Sequence, residues 1–123
     1  TDRALPDEVR HSRPLQAVLA RHPEATAVLA RNDYGAVQIW RALMQDGRKL
    51  PRDFSVVGFD DAFPIYDTQQ QNILTTVRIP LEEVGREAAR LILRLVEGGQ
   101  EQGDERIVLP AELLVRSSTA APK

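Results

Sequence analysis

Apolar residues recur along this chain with two periods, and the switching between them predicts helix and strand in turn. Leu15, Val18 and Leu19 form the i, i+3, i+4 stripe of a short amphipathic helix, with Pro14 in its first turn and Ser12 as its cap. His22-Pro23 ends that helix. Ala27, Val28, Leu29 and Ala30 then make a continuous apolar run, the pattern of a strand buried on both faces. This first strand is expected over 26–31 and leads into Asn32-Asp33. A helix follows through Ala36, Val37, Ile39, Trp40, Leu43 and Met44, with Asp33 able to cap it and Gly47 able to close it in a left-handed conformation. Residues 49–53 make the return loop. The second buried strand, 55–59, carries Val56, Val57 and Phe59 and ends in Asp60-Asp61. Residues 62–72 show no period and read as loop.

A third strand is expected over 73–79, with Thr75-Thr76 inside it. Pro80 opens the longest helix, striped by Leu81, Val84, Ala88, Leu91, Ile92 and Leu95. Glu82 and Glu83 stand at its positive end, and Glu82 lies one turn before Arg86. Gly98-Gly99 ends the helix, and 100–105 is a hydrophilic turn. Segments 107–109 and 113–115 are the last strands, broken at Pro110, before a polar tail.

Alternating helix and strand predicts an α/β fold with an open, mainly parallel sheet flanked by helices. A right-handed crossover makes the first two strands parallel, so Asn32-Asp33 and Asp60-Asp61 emerge on one edge of the sheet. Open α/β sheets take ligands at the carboxyl ends of their strands. Amide and carboxylate pairs there suit a ligand rich in hydroxyl groups.

Composition narrows the choice. Of 123 residues, 42% are hydrophobic, enough for a packed core in one domain or a piece of a larger one. Sixteen basic residues face 18 acidic ones, and the arginines are mostly neighboured by acids, so the chain lacks the footprint of a nucleic-acid binder. Without cysteine there is neither a disulfide framework nor thiolate chemistry. No apolar run is long enough to span a bilayer, so no membrane partner is expected. The start is not a signal peptide and has no initiator Met, so a piece of a longer, cytoplasmic protein is expected.

Four phrases carry a resemblance. They are Leu29-Ala30-Arg31-Asn32-Asp33 before an aliphatic helix; Leu50-Pro51-Arg52-Asp53-Phe54-Ser55-Val56-Val57-Gly58-Phe59-Asp60-Asp61; Leu74-Thr75-Thr76-Val77-Arg78 leading into Pro80-Leu81-Glu82-Glu83-Val84-Gly85; and the stretch from Leu109-Pro110 to Ser118-Thr119. In this order they resemble the lactose-repressor (LacI/GalR) family of bacterial transcriptional regulators, over residues 14–120. The resemblance implies an incomplete, periplasmic-binding-protein-like (type I) lobe: the C-terminal part of an effector-binding core. Residues 14–79 would supply βαβ units of the C-terminal lobe and a crossover strand, 80–98 a helix of the other lobe, and 106–119 the returning strands. The family's operator-binding helix-turn-helix is not in this sequence, so operator DNA would be met only through another domain.

The same resemblance nominates ligand-facing residues. Asn32 would present an amide that donates and accepts, with Asp33 left to cap the helix. Asp60 would accept two neighbouring sugar hydroxyls, with Asp61 fixing the loop. Ile79 borders the cleft where relatives commonly carry a polar or basic residue, and Tyr34 is a candidate for the cleft wall. Leu81 also borders the cleft in relatives but is as easily core, and Trp40, which could stack on a sugar, reads as core first. The expectation is a sugar-like effector, a homodimer, no cofactor, no metal and no catalysis. His11 and His22 have no acid–base partner at a useful spacing, and a receiver-type magnesium site would need a further acidic pair and a lysine. A transport receptor of the same fold is the first alternative, an α/β enzyme the second.

Overall fold

The computed structural model describes residues 15–98 and 106–122; Ser12, Pro14, His11, Gly99 and the 100–105 turn lie outside them. The described residues fall into two compact units. The larger runs to Arg78 and resumes at Leu113; the smaller lies between Ile79 and Glu112.

The larger unit opens with helix α1 (15–21), which buries Leu15 and packs Leu19 against the core. Val18 stays exposed, so the stripe is narrower than its spacing predicts. Strand β1 (Ala27–Leu29), helix α2 (Asp33–Gln45) and strand β2 (Ser55–Val57) then form the expected unit, with β1 and β2 parallel and Val28 opposite Val56. Extended backbone at Asn32 starts α2, and its side chain accepts a bond from the Gly35 amide at 2.9 Å. Ala36, Trp40 and Leu43 recur one turn apart and are buried. Gly47, at φ +78°, ends the helix where a Cβ would be strained. Leu43, Phe54, Val56 and Leu74 are the largest fully buried apolar side chains of the core. Truncating a large one to alanine costs roughly 2–5 kcal/mol.

Strand β1 departs from expectation. Only Val28 is half-buried; Ala27 and Leu29 are exposed, Leu29 by 67%. Its apolar run reads as doubly buried, but it pairs with β2 alone, and among the described residues nothing covers Leu29.

Beyond β2 the chain bonds parallel to residues 75–77, through Gly58 N–H to the Thr75 carbonyl and Asp60 N–H to the Val77 carbonyl, both 2.8 Å. Regular strand β3 covers only Thr76–Arg78 and pairs with β4 (Glu112–Leu114). It is shorter than the 73–79 pattern because Ser118 is wedged between β2 and residues 73–75. Its amide donates to the Ile73 carbonyl (2.7 Å) and its carbonyl accepts from Val56 N–H (3.0 Å). Its hydroxyl donates to the Val56 carbonyl (2.7 Å) and accepts from Thr75 N–H (2.8 Å). Segment 107–109 is not strand; Pro110, which has no N–H, follows it directly.

Because Ser118 is fully buried, Ser118→Ala orphans an amide and a carbonyl together. The expected loss is about 1–3 kcal/mol, read as a lower urea midpoint at unchanged slope. A midpoint equal to wild type would show that the hydroxyl is not what joins these segments.

The smaller unit contains α3 (Leu81–Val96), with Glu82 and Glu83 in its first turn and an Arg86–Glu82 pair at 2.7 Å. Arg90 also pairs with Glu87. Gly98, at φ +81°, follows the helix end. None of its residues is buried, and the expected stripe is open, with Leu81 63% and Leu95 55% exposed. A large apolar side chain left in water forgoes roughly 1.5–3 kcal/mol.

Candidate functional site

Where β1 and β2 end, the backbone joins them. The Asp33 amide donates to the Phe59 carbonyl at 2.8 Å, and Asp60 is bonded in turn to Val77. Three chain segments therefore terminate side by side, and the two polar pairs of the sequence share one edge. Asn32 and Asp60 are both half-buried there.

The cap expected of Asp33 falls to Asn32. Asn32 is the N-cap, and its Oδ1 is engaged by Gly35, which leaves the Nδ2 group to donate to a ligand. Asp33 is the first helical residue and only 1% exposed. Its Oδ1 accepts from the Thr76 hydroxyl at 2.5 Å and its Oδ2 from the Phe63 amide at 3.3 Å. The carboxylate thus points under the 62–72 loop instead of back to its own helix. Strand β3 and the loop after β2 compete successfully for it, which the local cap pattern does not register.

Asp60 and Asp61 both occupy positive φ, at 98° and 54°. Such backbone is uncommon for non-glycine residues and is most often tolerated by Asn and Asp. Asp60 Oδ1 accepts from the Ala62 amide at 3.2 Å, a local turn that orients the carboxylate. Asp61 faces inward, its side chain 15% exposed. Arg78 meets its Oδ2 with Nε at 2.9 Å and Nη2 at 2.8 Å. Arg116 meets its Oδ1 with both Nη atoms at 3.1 Å. Burial pushes the Asp61 carboxyl up, but the hydrogen bonds and charges of Arg78 and Arg116 outweigh it and hold it below the ordinary carboxylate range.

Tyr34 makes an edge-on contact with Phe63, ring centres 5.7 Å apart. Phe63 escapes a sequence reading because the 62–72 loop has no period; the remaining signal is its nearness to Asp60 along the chain. Arg116 escapes it because its partner lies 55 positions away. Ile79 belongs to the smaller unit, and Asn32, Tyr34 and Asp60 belong to the larger. Trp40 is core, as its stripe position predicts, whereas Leu81 is exposed. Among the described residues no cluster of His, Cys, Asp or Glu is arranged to hold a metal. No described helix is long and apolar enough to cross a membrane.

Comparison with known proteins matches residues 2–119 to the periplasmic binding protein-like domain. The HTH-type transcriptional regulator MalR of Streptomyces coelicolor is 41% identical over 98 residues, which is 80% of this chain and 28% of that regulator. The transcriptional regulator CelR in complex with cellobiose superimposes with a TM-score of 0.75 at 32% identity, covering 90% of this chain and 33% of that one. A LacI family transcriptional regulator from Enterococcus faecium with bound ribose gives a TM-score of 0.74 at 30% identity, covering 94% of this chain and 42% of that one. The chain thus spans under a third of the length of the curated relative it matches.

Proposed function

Because the chain belongs to the family of periplasmic binding protein-like domains of LacI-type transcriptional regulators, we propose that it is the C-terminal part of an effector-binding core. The observation that carries this reading is the backbone junction from Asp33 to Phe59 and from Asp60 to Val77. It sets an amide donor (Asn32) and a carboxylate acceptor (Asp60) on one edge of the sheet. A sugar or related polyol matches that pair, since adjacent hydroxyls donate to the carboxylate and accept from the amide. Relatives solved with cellobiose and ribose support the same ligand class.

In this reading Asn32, Tyr34 and Asp60, all in the larger unit, face the ligand. The ligand is bound and released unchanged; no residue acts as a catalyst and no cofactor takes part. The parent protein is a cytoplasmic homodimer that meets operator DNA through a separate domain. The effector changes operator affinity by binding one conformation better than another, so its leverage equals its differential affinity.

Titration calorimetry of the intact protein with cellobiose and with ribose tests the ligand class. Saturable binding of at least one is expected. Heats equal to dilution for both would overturn the sugar reading.

A further inference from the structure

We propose that Arg116 is a positioning residue for the ligand site, clamping Asp61 so that Asp60 is held in its unusual backbone conformation at the end of β2. The inference rests on the reading of Asp60 as a ligand-facing carboxylate and deepens it by naming what keeps that carboxylate in place.

The geometry runs through three linked contacts. Arg116 Nη1 donates at once to the Leu74 carbonyl at 2.7 Å and to Asp61 Oδ1 at 3.1 Å. Its backbone is fixed as well: its N–H donates to Thr75 Oγ1, and its carbonyl accepts from the same hydroxyl, each at 2.9 Å. Arg116 is therefore anchored to Leu74 and Thr75 at both ends of its side chain. Asp61 is the partner it holds. It sits at φ 54°, directly after Asp60 at φ 98°, two successive positive-φ residues that are not glycine. A backbone of this kind persists only where its surroundings over-determine it. The Asp60 amide, bonded to Val77, is one restraint. The two guanidiniums on the Asp61 carboxylate are the other, and Arg116 is the more enclosed, its side chain 22% exposed against 50% for Arg78. An enclosed, forked contact loses less to solvent screening than an exposed one.

Arginine is specifically suited to this place. Its planar fork reaches a carbonyl and a carboxylate together, whereas a lysine ammonium is a single point donor. Arg116→Lys keeps the charge and gives up the fork; Arg116→Gln gives up both.

The test reads hydrogen exchange at the Asp60 amide in the wild type and in both variants, with the Ala30 amide (bonded to Val57) as the core reference, and calorimetry with cellobiose and ribose in parallel. In Arg116→Gln the Asp60 amide should exchange about tenfold faster or more while the Ala30 amide is unchanged, and Arg116→Lys should fall between. Sugar affinity should drop about fivefold or more in Arg116→Gln. A generally weakened fold would speed both amides alike and overturn the proposal, as would an Asp60 amide that exchanges as in the wild type. If Asp60→Asn loses the sugar and Arg116→Gln keeps it, the clamp fails and the ligand site stands. If the wild type binds neither sugar, the ligand reading fails, and exchange at Asp60 still decides the clamp. Should the Gln variant not fold, the Lys variant carries the same comparison.

Discussion

Gly58→Ala is expected to cost the larger unit about 3 kcal/mol or more, lowering its melting temperature by at least about 12 °C for a unit of this size. A methyl group on Gly58 would stand 2.1 Å from Asp33 Oδ1 and 3.1 Å from both Asp33 Cγ and Leu74 Cδ2. None of these can yield cheaply. Leu74 is fully buried, and the Asp33 carboxylate is held between the Thr76 hydroxyl and the Phe63 amide. Shifting it breaks a buried hydrogen bond to a charged group, about 1.5–3 kcal/mol in addition to overpacking. Thermal unfolding by circular dichroism measures the drop, and a melting point within about 2 °C of wild type would refute the packing account. The double variant identifies the clash. In an Asp33→Ala background the carboxylate is gone, so adding Gly58→Ala should cost at least about 1 kcal/mol less than it does alone.

Asp60→Asn is expected to weaken sugar binding by about tenfold or more and to leave the fold intact. Asparagine tolerates positive φ as aspartate does, and its Oδ1 can still accept from the Ala62 amide. The ligand sees a different group. One acceptor oxygen becomes a donor, so a sugar hydroxyl loses a charge-assisted bond and meets an N–H. Loss of a hydrogen bond to a charged group is about 1.5–3 kcal/mol, which is a factor of ten or more in affinity. Calorimetry against the sugar that binds the wild type is the measurement. An unchanged dissociation constant would remove Asp60 from the ligand site, while a lowered melting temperature would show a structural part for the carboxylate.

Local chemistry was legible and distant pairing was not. The βαβ unit could be read because its period, its turn residues and its polar strand ends all lie within residues 26–61 and agree with one another. Gly47 could be assigned its left-handed turn for the same reason. Asn32 and Asp33 could be placed at a helix start but not told apart, since either side chain can cap; Thr76, 43 positions on, decides the matter by claiming Asp33. The Arg116–Asp61 clamp and the Ser118 wedge are likewise invisible to any window, being side-chain contacts across 55 and 62 positions. The exposures of Leu29 and of the α3 stripe show the other limit. An apolar pattern states which surface should be covered, while the cover itself depends on what else is folded beside it.

The Ser118 wedge also sets an order of events during synthesis. Residues 26–59 can pair as soon as they emerge, because the two strands are joined by one helix. Residues 75–77 can bond to the chain just beyond β2 once they are made, but the link between Val56 and residues 73–75 stays open until residue 118 follows, since Ser118 supplies bonds to Val56, Ile73 and Thr75 alike. Until then the Val56 carbonyl and the Thr75 amide wait for the hydroxyl that will join them.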